Sequence, residues 1–241
     1  MLDALALDLT PRDRPRALAL VDHVDAAADW LVALLIAALV DARRPVVLVC
    51  IERAGEEILK TAKKLARRAA RAIEDALEDG SLACVETWDD GWAPEGGVSG
   101  ARARARAAGA RAGRAADARA GRTAADAASR VCFVVDGVES LDPRVGGAGG
   151  AEAFLDALVG EGDVCARAHG DVGALAGWIA ETCDCEVRLV PLVTGVAEDA
   201  QGTCETTHRS DGWRMAGEAR RTRVAYAVTE LGARFERRSL G

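Results

Sequence analysis

Histidine is scarce in this 241-residue chain: three residues, His23, His169 and His208, lie far apart. No H-E-x-x-H or G-x-S-x-G motif accompanies them, so neither a zinc protease nor a serine hydrolase is written in the sequence. An excess of basic charge is missing too. The formal net charge of -7 argues against a nucleic-acid binder with a wholly basic surface, while leaving room for a local basic stripe. Long apolar runs are lacking: Trp30 to Val40 is bounded by Asp29 and Asp41 and is too short to cross a bilayer. The start alternates Leu2, Asp3, Leu5, Leu7 and Asp8, without the basic opening and apolar block of a secretory leader. A soluble, intracellular protein is expected. Aromatics make up only 4% of the chain against abundant Ala, Arg and Gly, a bias that fits GC-rich coding and carries little functional weight.

Paired cysteine clusters are also absent. The seven cysteines are Cys50, Cys84, Cys132, Cys165, Cys183, Cys185 and Cys204, an odd number that suits free thiols in an intracellular chain. The first four sit in apolar, strand-like runs, where cysteine acts as a small hydrophobe. Only Cys183 and Cys185 are close together, in a C-x-C spacing that with His169 or His208 nearby could suggest zinc. Structural zinc usually takes two paired ligand clusters, so buried or semi-buried thiols are the expectation and no metal or other cofactor is assigned.

What is present is an alternation of strands and helices. Half the residues are apolar, as in a globular protein, and the length suits a single domain over 1–241. A strand at Ala17 to Val21 precedes a helical run, Asp25 to Val40, apolar on nearly every side and therefore buried between layers. Val46 to Ile51 is apolar without alternation, the pattern of a strand covered on both faces. Glu56 to Asp79 reads as one amphipathic helix, with Ile58, Ala62, Leu65, Ala69, Ile73 and Leu77 at helical spacing and Gly80 as its stop. Leu82 to Glu86 makes a short strand. Val131 to Asp136 is a further apolar strand that ends in an acid. Helical patterns at Ala151 to Val159 and Val172 to Cys183 flank a strand near Val164. A parallel sheet with helices on both faces follows. The last third reads as strands at Val187 to Leu192, Thr203 to Arg209, Val224 to Thr229 and Ala233 to Arg238, with turn signals at Gln201-Gly202, Asp211-Gly212 and Leu231-Gly232. Val224, Tyr226 and Val228 alternate with smaller residues, as in an antiparallel strand with two unlike faces.

Residues 89–130 differ. Gly91 to Gly100 is rich in glycine, and then Arg102, Arg104, Arg106, Arg111, Arg114, Arg119 and Arg122 alternate with Ala and Gly. With almost no large apolar residue, this segment is expected to be a low-complexity surface insertion, disordered or partly helical, outside the core.

The layout suggests a RecA-like, P-loop type of α/β fold, and the loop after the first strand tests it. A phosphate-cradling loop needs glycines and a lysine. Here the loop is Asp22-His23-Val24-Asp25-Ala26-Ala27-Ala28-Asp29, with neither. Each carboxylate would repel a phosphate charge by about 1 kcal/mol at 4 Å even in water. They suit helix capping instead. No functional Walker A loop and no nucleotide site are expected. Asp136 stands where a magnesium-binding acid stands in such folds, a vestigial Walker B-like residue that is read as bonding the following loop. The run Val145-Gly146-Gly147-Ala148-Gly149-Gly150 lacks a following lysine and reads as a turn, as does His169-Gly170-Asp171.

Several stretches in order resemble subunit six of the Elongator complex. They are Leu18-Ala19-Leu20-Val21-Asp22 with Trp30-Leu31-Val32, then Val134-Val135-Asp136-Gly137-Val138-Glu139-Ser140-Leu141, and His169-Gly170-Asp171. The run Leu189 to Gly202 and the ending Val224 to Phe235 complete the set. Subunit five shares the fold, but the end Glu236 to Gly241 is basic where subunit five often carries acid. The resemblance implies a RecA-like pseudo-ATPase with no catalytic residues, acting in the cytoplasm and nucleus. It would be a member of the heterohexameric ring of subunits four, five and six, which binds tRNA and supports wobble uridine (U34) modification. The Arg-rich segment departs from the family.

RNA contact would fall on Lys60, Lys63, Lys64, Arg67, Arg68 and Arg71 of the amphipathic helix and on the segment's arginines, chiefly Arg102, Arg104 and Arg106. Phosphate contacts of this kind are salt-dependent and sequence-blind; a solvated helix face accounts for the same residues. Two other readings are a RecA paralogue that lost its ATP site and mediates DNA repair, and an unconventional ATPase centred on Asp136.

Overall fold

The computed structural model describes residues 5, 15–23, 25–87, 97–121, 130–144, 150–169, 175–192, 200–209, 220–229 and 232–236. The glycine-rich run 145–149, the segments 170–174 and 193–199, Arg122, the Asp211-Gly212 turn and Leu231 lie outside them. The strands are β1 Ala17–Asp22, β2 Val46–Cys50, β3 Leu82–Glu86, β4 Cys132–Asp136, β5 Asp163–His169, β6 Cys185–Pro191, β7 Gly202–His208, β8 Arg220–Thr229 and β9 Gly232–Glu236. The helices are α1 Asp29–Asp41, α2 Gly55–Leu65, α3 Ala70–Asp79, α4 Gly97–Arg119, α5 Gly150–Glu161 and α6 Ala176–Glu181. All nine described strands form one sheet in the order β3-β2-β4-β5-β1-β6-β7-β8-β9. The first six of these pair in parallel and the last three antiparallel. The expected α/β architecture, mostly parallel with antiparallel C-terminal strands, is therefore present.

Alternate residues of each central strand enter two different cores, which is why these strands read as unbroken apolar runs. Leu18, Leu20, Val46, Leu48, Val134 and Cys165 pack with α1, α2 and α3. Ala17, Ala19, Val47, Val49, Phe133 and Val135 pack with α4 and α5. Helix α1 is buried along ten of its thirteen residues, because it lies between the sheet and α2 and α3. At its start Trp30 stacks on Tyr226 of β8 at 4.9 Å and lies 5.8 Å from Phe235 of β9, which fastens the C-terminal hairpin to the parallel core.

Two expectations change. The single helix predicted over Glu56 to Asp79 breaks at Ala66 (φ -115, ψ 63), where a 3-10 turn, Arg67–Ala69, separates α2 from α3. The break leaves Ile58, Ala62 and Leu65 on one side and Ala69, Ile73 and Ala76 on the other, all in the same core. Gly80 ends α3 as expected, in the left-handed conformation (φ 80).

The larger change concerns residues 97–119. They form helix α4, and Ala101, Ala105, Ala108 and Ala112 are buried in the core on that face of the sheet, with Ala116 buried further along. The segment thus belongs to the core, contrary to its expected exclusion. Alanines at helical spacing make a stripe that lets the helix approach the strands closely, so no large side chain is needed. Gly109 shows how close: a Cβ there would stand 3.0 Å from Cζ of Phe133.

Candidate functional site

Four neighbouring strands, β2, β4, β5 and β1, end at the same edge of the sheet, and their ends carry charges that alternate in sign. After β2 comes Arg53, β4 ends in Asp136, β5 carries Arg167, and β1 ends in Asp22. This is the carboxyl edge beneath the start of α1, the position where open α/β sheets bind ligands. Arg167 is the hub. Its Nε donates to Oδ2 of Asp22 at 3.0 Å and its Nη1 to Oδ1 of Asp136 at 3.0 Å. Nη2 lies 3.3 Å from Asp29 and Nη1 3.4 Å from Glu52. Arg53 grips Asp136 with two bonds, Nε at 3.2 Å and Nη2 at 2.8 Å, while its Nη1 meets Asp29 at 3.1 Å.

These charges are deeply placed. The side chain of Arg167 is 5% exposed, and those of Asp22 and Asp136 are 0% exposed. Burial alone would lower the pKa of Arg167, but Asp22, Asp136 and Asp29 outweigh it and hold the guanidinium above its ordinary value. The second oxygen role of Asp22 is local: its Oδ2 accepts from the N–H of Ala28 at 2.8 Å, which satisfies backbone at the entrance of α1. The helix capping expected of the acidic loop is not formed: no side chain caps α1, and Asp22 instead holds the N–H of Ala28 just before the helix.

His169 closes the cluster. Its Nδ1 lies 2.5 Å from Oδ1 of Asp22, and its Nε2 lies 3.2 Å from Glu139 and 3.9 Å from Glu52. Glu139 sits in the 3-10 turn Val138–Arg144 and accepts from the N–H of His169 at 3.2 Å. Burial, then the nearby charge of Glu52, raises the pKa of Glu139. Ser140 donates to Oε1 of Glu52 at 2.9 Å. Gly137 makes the turn possible: its φ is 72, and a Cβ there would overlap Cγ of Glu52.

The placement of the residues expected from sequence is mixed. Asp136 is buried at the end of β4, but it bonds two arginines rather than the following loop. His169, read as part of a turn, is the last residue of β5 and belongs to the cluster. Lys60, Lys64 and Arg67 are exposed on α2 and the adjoining turn, and Lys63 pairs with Glu74 of α3 at 3.2 Å. Arg102 and Arg106 are exposed on α4, with Arg104 half-buried, and Arg106 pairs with Glu161 at 3.1 Å. Helices α2 and α4 serve opposite faces of the sheet, so the two basic groups do not make one surface.

Arg167, Arg53, Glu52 and Glu139 were not expected. One signal was available: Arg167 is a lone charge in the otherwise uncharged run Val164 to Ala168. Cys183 and Cys185 face different cores, so they do not form a metal site with His208. Six cysteines are buried as expected, but Cys84, on the edge strand β3, is exposed. Its hydrogen bond with Cys50 pushes the Cys50 thiol well up and holds Cys84 below the ordinary thiol range.

Chemically, the arrangement supplies paired charges at a point where phosphate binding would require unpaired donors. The Asp22–His169 pair is the orienting half of an acid–base system, but the free edge of the ring faces carboxylates, with no hydroxyl or thiol positioned on it among the described contacts. A second depression, over Glu186, Arg188, Glu205, Arg221 and Arg223, is lined by charges of both signs, with Arg188 paired to Glu186 and Arg223 to Glu205. No helix among the described residues is long and apolar enough to cross a membrane. No protein-family model matches the chain, and no curated protein matches it.

Proposed function

We propose that the chain is a non-catalytic, RecA-like pseudo-ATPase that acts by assembly, as subunit six of an Elongator ring with subunits four and five. The observation that carries the non-catalytic part is the filling of the strand-end site by Arg167 and Arg53. In a RecA-like arrangement β1 would be the strand before the phosphate loop and β4 the strand with the Walker B acid, with β5 between them, as in the observed order. Asp136 would then ligate magnesium, yet both its oxygens are engaged by guanidinium groups. The start of α1 is served by Asp22, and Asp29 places a further negative charge there. Arginine side chains therefore supply internally the positive charge that a phosphate loop would present to a nucleotide.

The ring assignment and its tRNA role rest on the sequence resemblance. The separation of the α2 and α4 basic groups supports tRNA contact through an assembled ring more than through this chain alone. The test is affinity purification of the tagged protein from its native cell, with mass spectrometry of its partners. Recovery of Elongator subunits four and five is expected. Recombinases in their place would support the DNA-repair paralogue instead. In parallel, equilibrium dialysis of the purified chain with ATP and magnesium should detect no binding at millimolar nucleotide. Saturable binding there would overturn the pseudo-ATPase reading.

A further inference from the structure

We propose that Glu52, Glu139 and His169 form a binding site for a divalent transition-metal ion of the zinc class, independent of any nucleotide. The first support is geometry. Nε2 of His169 and one oxygen of each glutamate all lie within 4.8 Å of one another. Zinc bonds of roughly 2.0 Å to nitrogen and oxygen place tetrahedral ligand atoms about 3.3 Å apart. The His169–Glu139 separation of 3.2 Å is already that edge, and the His169–Glu52 separation of 3.9 Å needs a small inward movement. The glutamate that must move is the freer one: its side chain is 24% exposed against 10% for Glu139.

The second support is an unmet electrostatic need. Five carboxylates, from Asp22, Asp29, Glu52, Asp136 and Glu139, face two guanidinium groups, from Arg53 and Arg167. Arg167 is occupied mainly by the three aspartates, which leaves the two glutamates with the least compensation. Oε1 of Glu139 faces Nε2 of His169, and the second oxygen of the same carboxylate, Oε2, is buried without a hydrogen-bond partner. The imidazole is oriented for the task. Nδ1 faces Asp22, which leaves Nε2 aimed at Glu139 and Glu52. A carboxylate behind the far nitrogen is also the usual support of a metal-bound histidine. Imidazole among the donors favours zinc, copper, iron or nickel over magnesium, calcium or manganese. Exposure of His169 and Glu52 at the rim gives the ion a path from solvent and leaves room for a water ligand.

The experiment uses the full chain, stripped with chelator and titrated with Zn²⁺ against a chromophoric competitor, and with Co²⁺ followed by its visible absorption. One equivalent is expected, with the intense visible bands of a tetrahedral nitrogen–oxygen site and without the sulfur-to-cobalt charge transfer that cysteine ligation would give. His169→Gln and Glu139→Gln should each weaken binding at least tenfold, and Asp22→Asn by roughly tenfold through loss of support for the ring. Cys84→Ser should leave it unchanged. Absence of micromolar binding, binding insensitive to His169→Gln and Glu139→Gln, thiolate bands, or equal affinity for magnesium would each overturn the proposal. Because the cobalt spectrum is read on the unmodified chain, the assignment stays falsifiable even where a variant fails to fold.

Discussion

Replacing Arg167 by methionine isolates the contribution of the charged cluster to stability. The substitution keeps an unbranched stem in β5 and removes one positive charge from between two fully buried carboxylates. Asp136 keeps both bonds from Arg53, and Asp22 keeps the Ala28 N–H and His169, so neither is stripped of every partner. What is lost is, among the described residues, the guanidinium that bridges β1 to β4 through β5. Breaking a buried pair on one side costs about 3–5 kcal/mol, because the remaining charge stays desolvated. For a chain of this size that corresponds to a fall in Tm of roughly 6–20 °C. Urea denaturation at neutral pH, followed by tryptophan fluorescence and by circular dichroism, measures the change. The triple variant R167M/D22N/D136N should recover most of the loss, since it removes the uncompensated charges together. A loss below about 1 kcal/mol, or a triple variant no more stable than the single one, would refute the view that these groups form a buried, mutually dependent network.

Other outcomes follow from specific contacts. Ala105→Leu should cost about 1–3 kcal/mol by overpacking α4 against the sheet, measured by the same denaturation; a neutral effect would place α4 outside the core. Gly137→Ala should destabilise by at least about 1–2 kcal/mol, from the left-handed backbone alone, with further loss as Glu52 is displaced. A native-state alkylation time course with mass mapping should label Cys84 first and the other six cysteines only after unfolding, because Cys84 alone is both exposed and held toward thiolate. Equal labelling of Cys50 would contradict that difference.

Much of the fold was legible because its signals are local and repeated. Val46 to Cys50 and Cys132 to Asp136 are apolar without alternation because each faces two cores, and their sequences state this directly. The misreadings had physical causes. The stripe of α4 is made of alanine, which carries too little apolar surface to stand out, although its spacing is helical. The break at Ala66 has no glycine or proline to mark it and comes from packing both halves into one core.

Sequence by itself determined that β1 is followed by a loop without glycine or lysine, that several strands are covered on both sides, and that the C-terminal third turns antiparallel. Only the tertiary structure decided which side chains meet at the carboxyl edge of the central strands. Arg53, Asp136, Arg167 and Asp22 are scattered over 146 positions of sequence, yet the strand order β2-β4-β5-β1 places them side by side. A buried charge is tolerated only with its partner present, and that partnership is a property of which strand ends are neighbours, which no local pattern records.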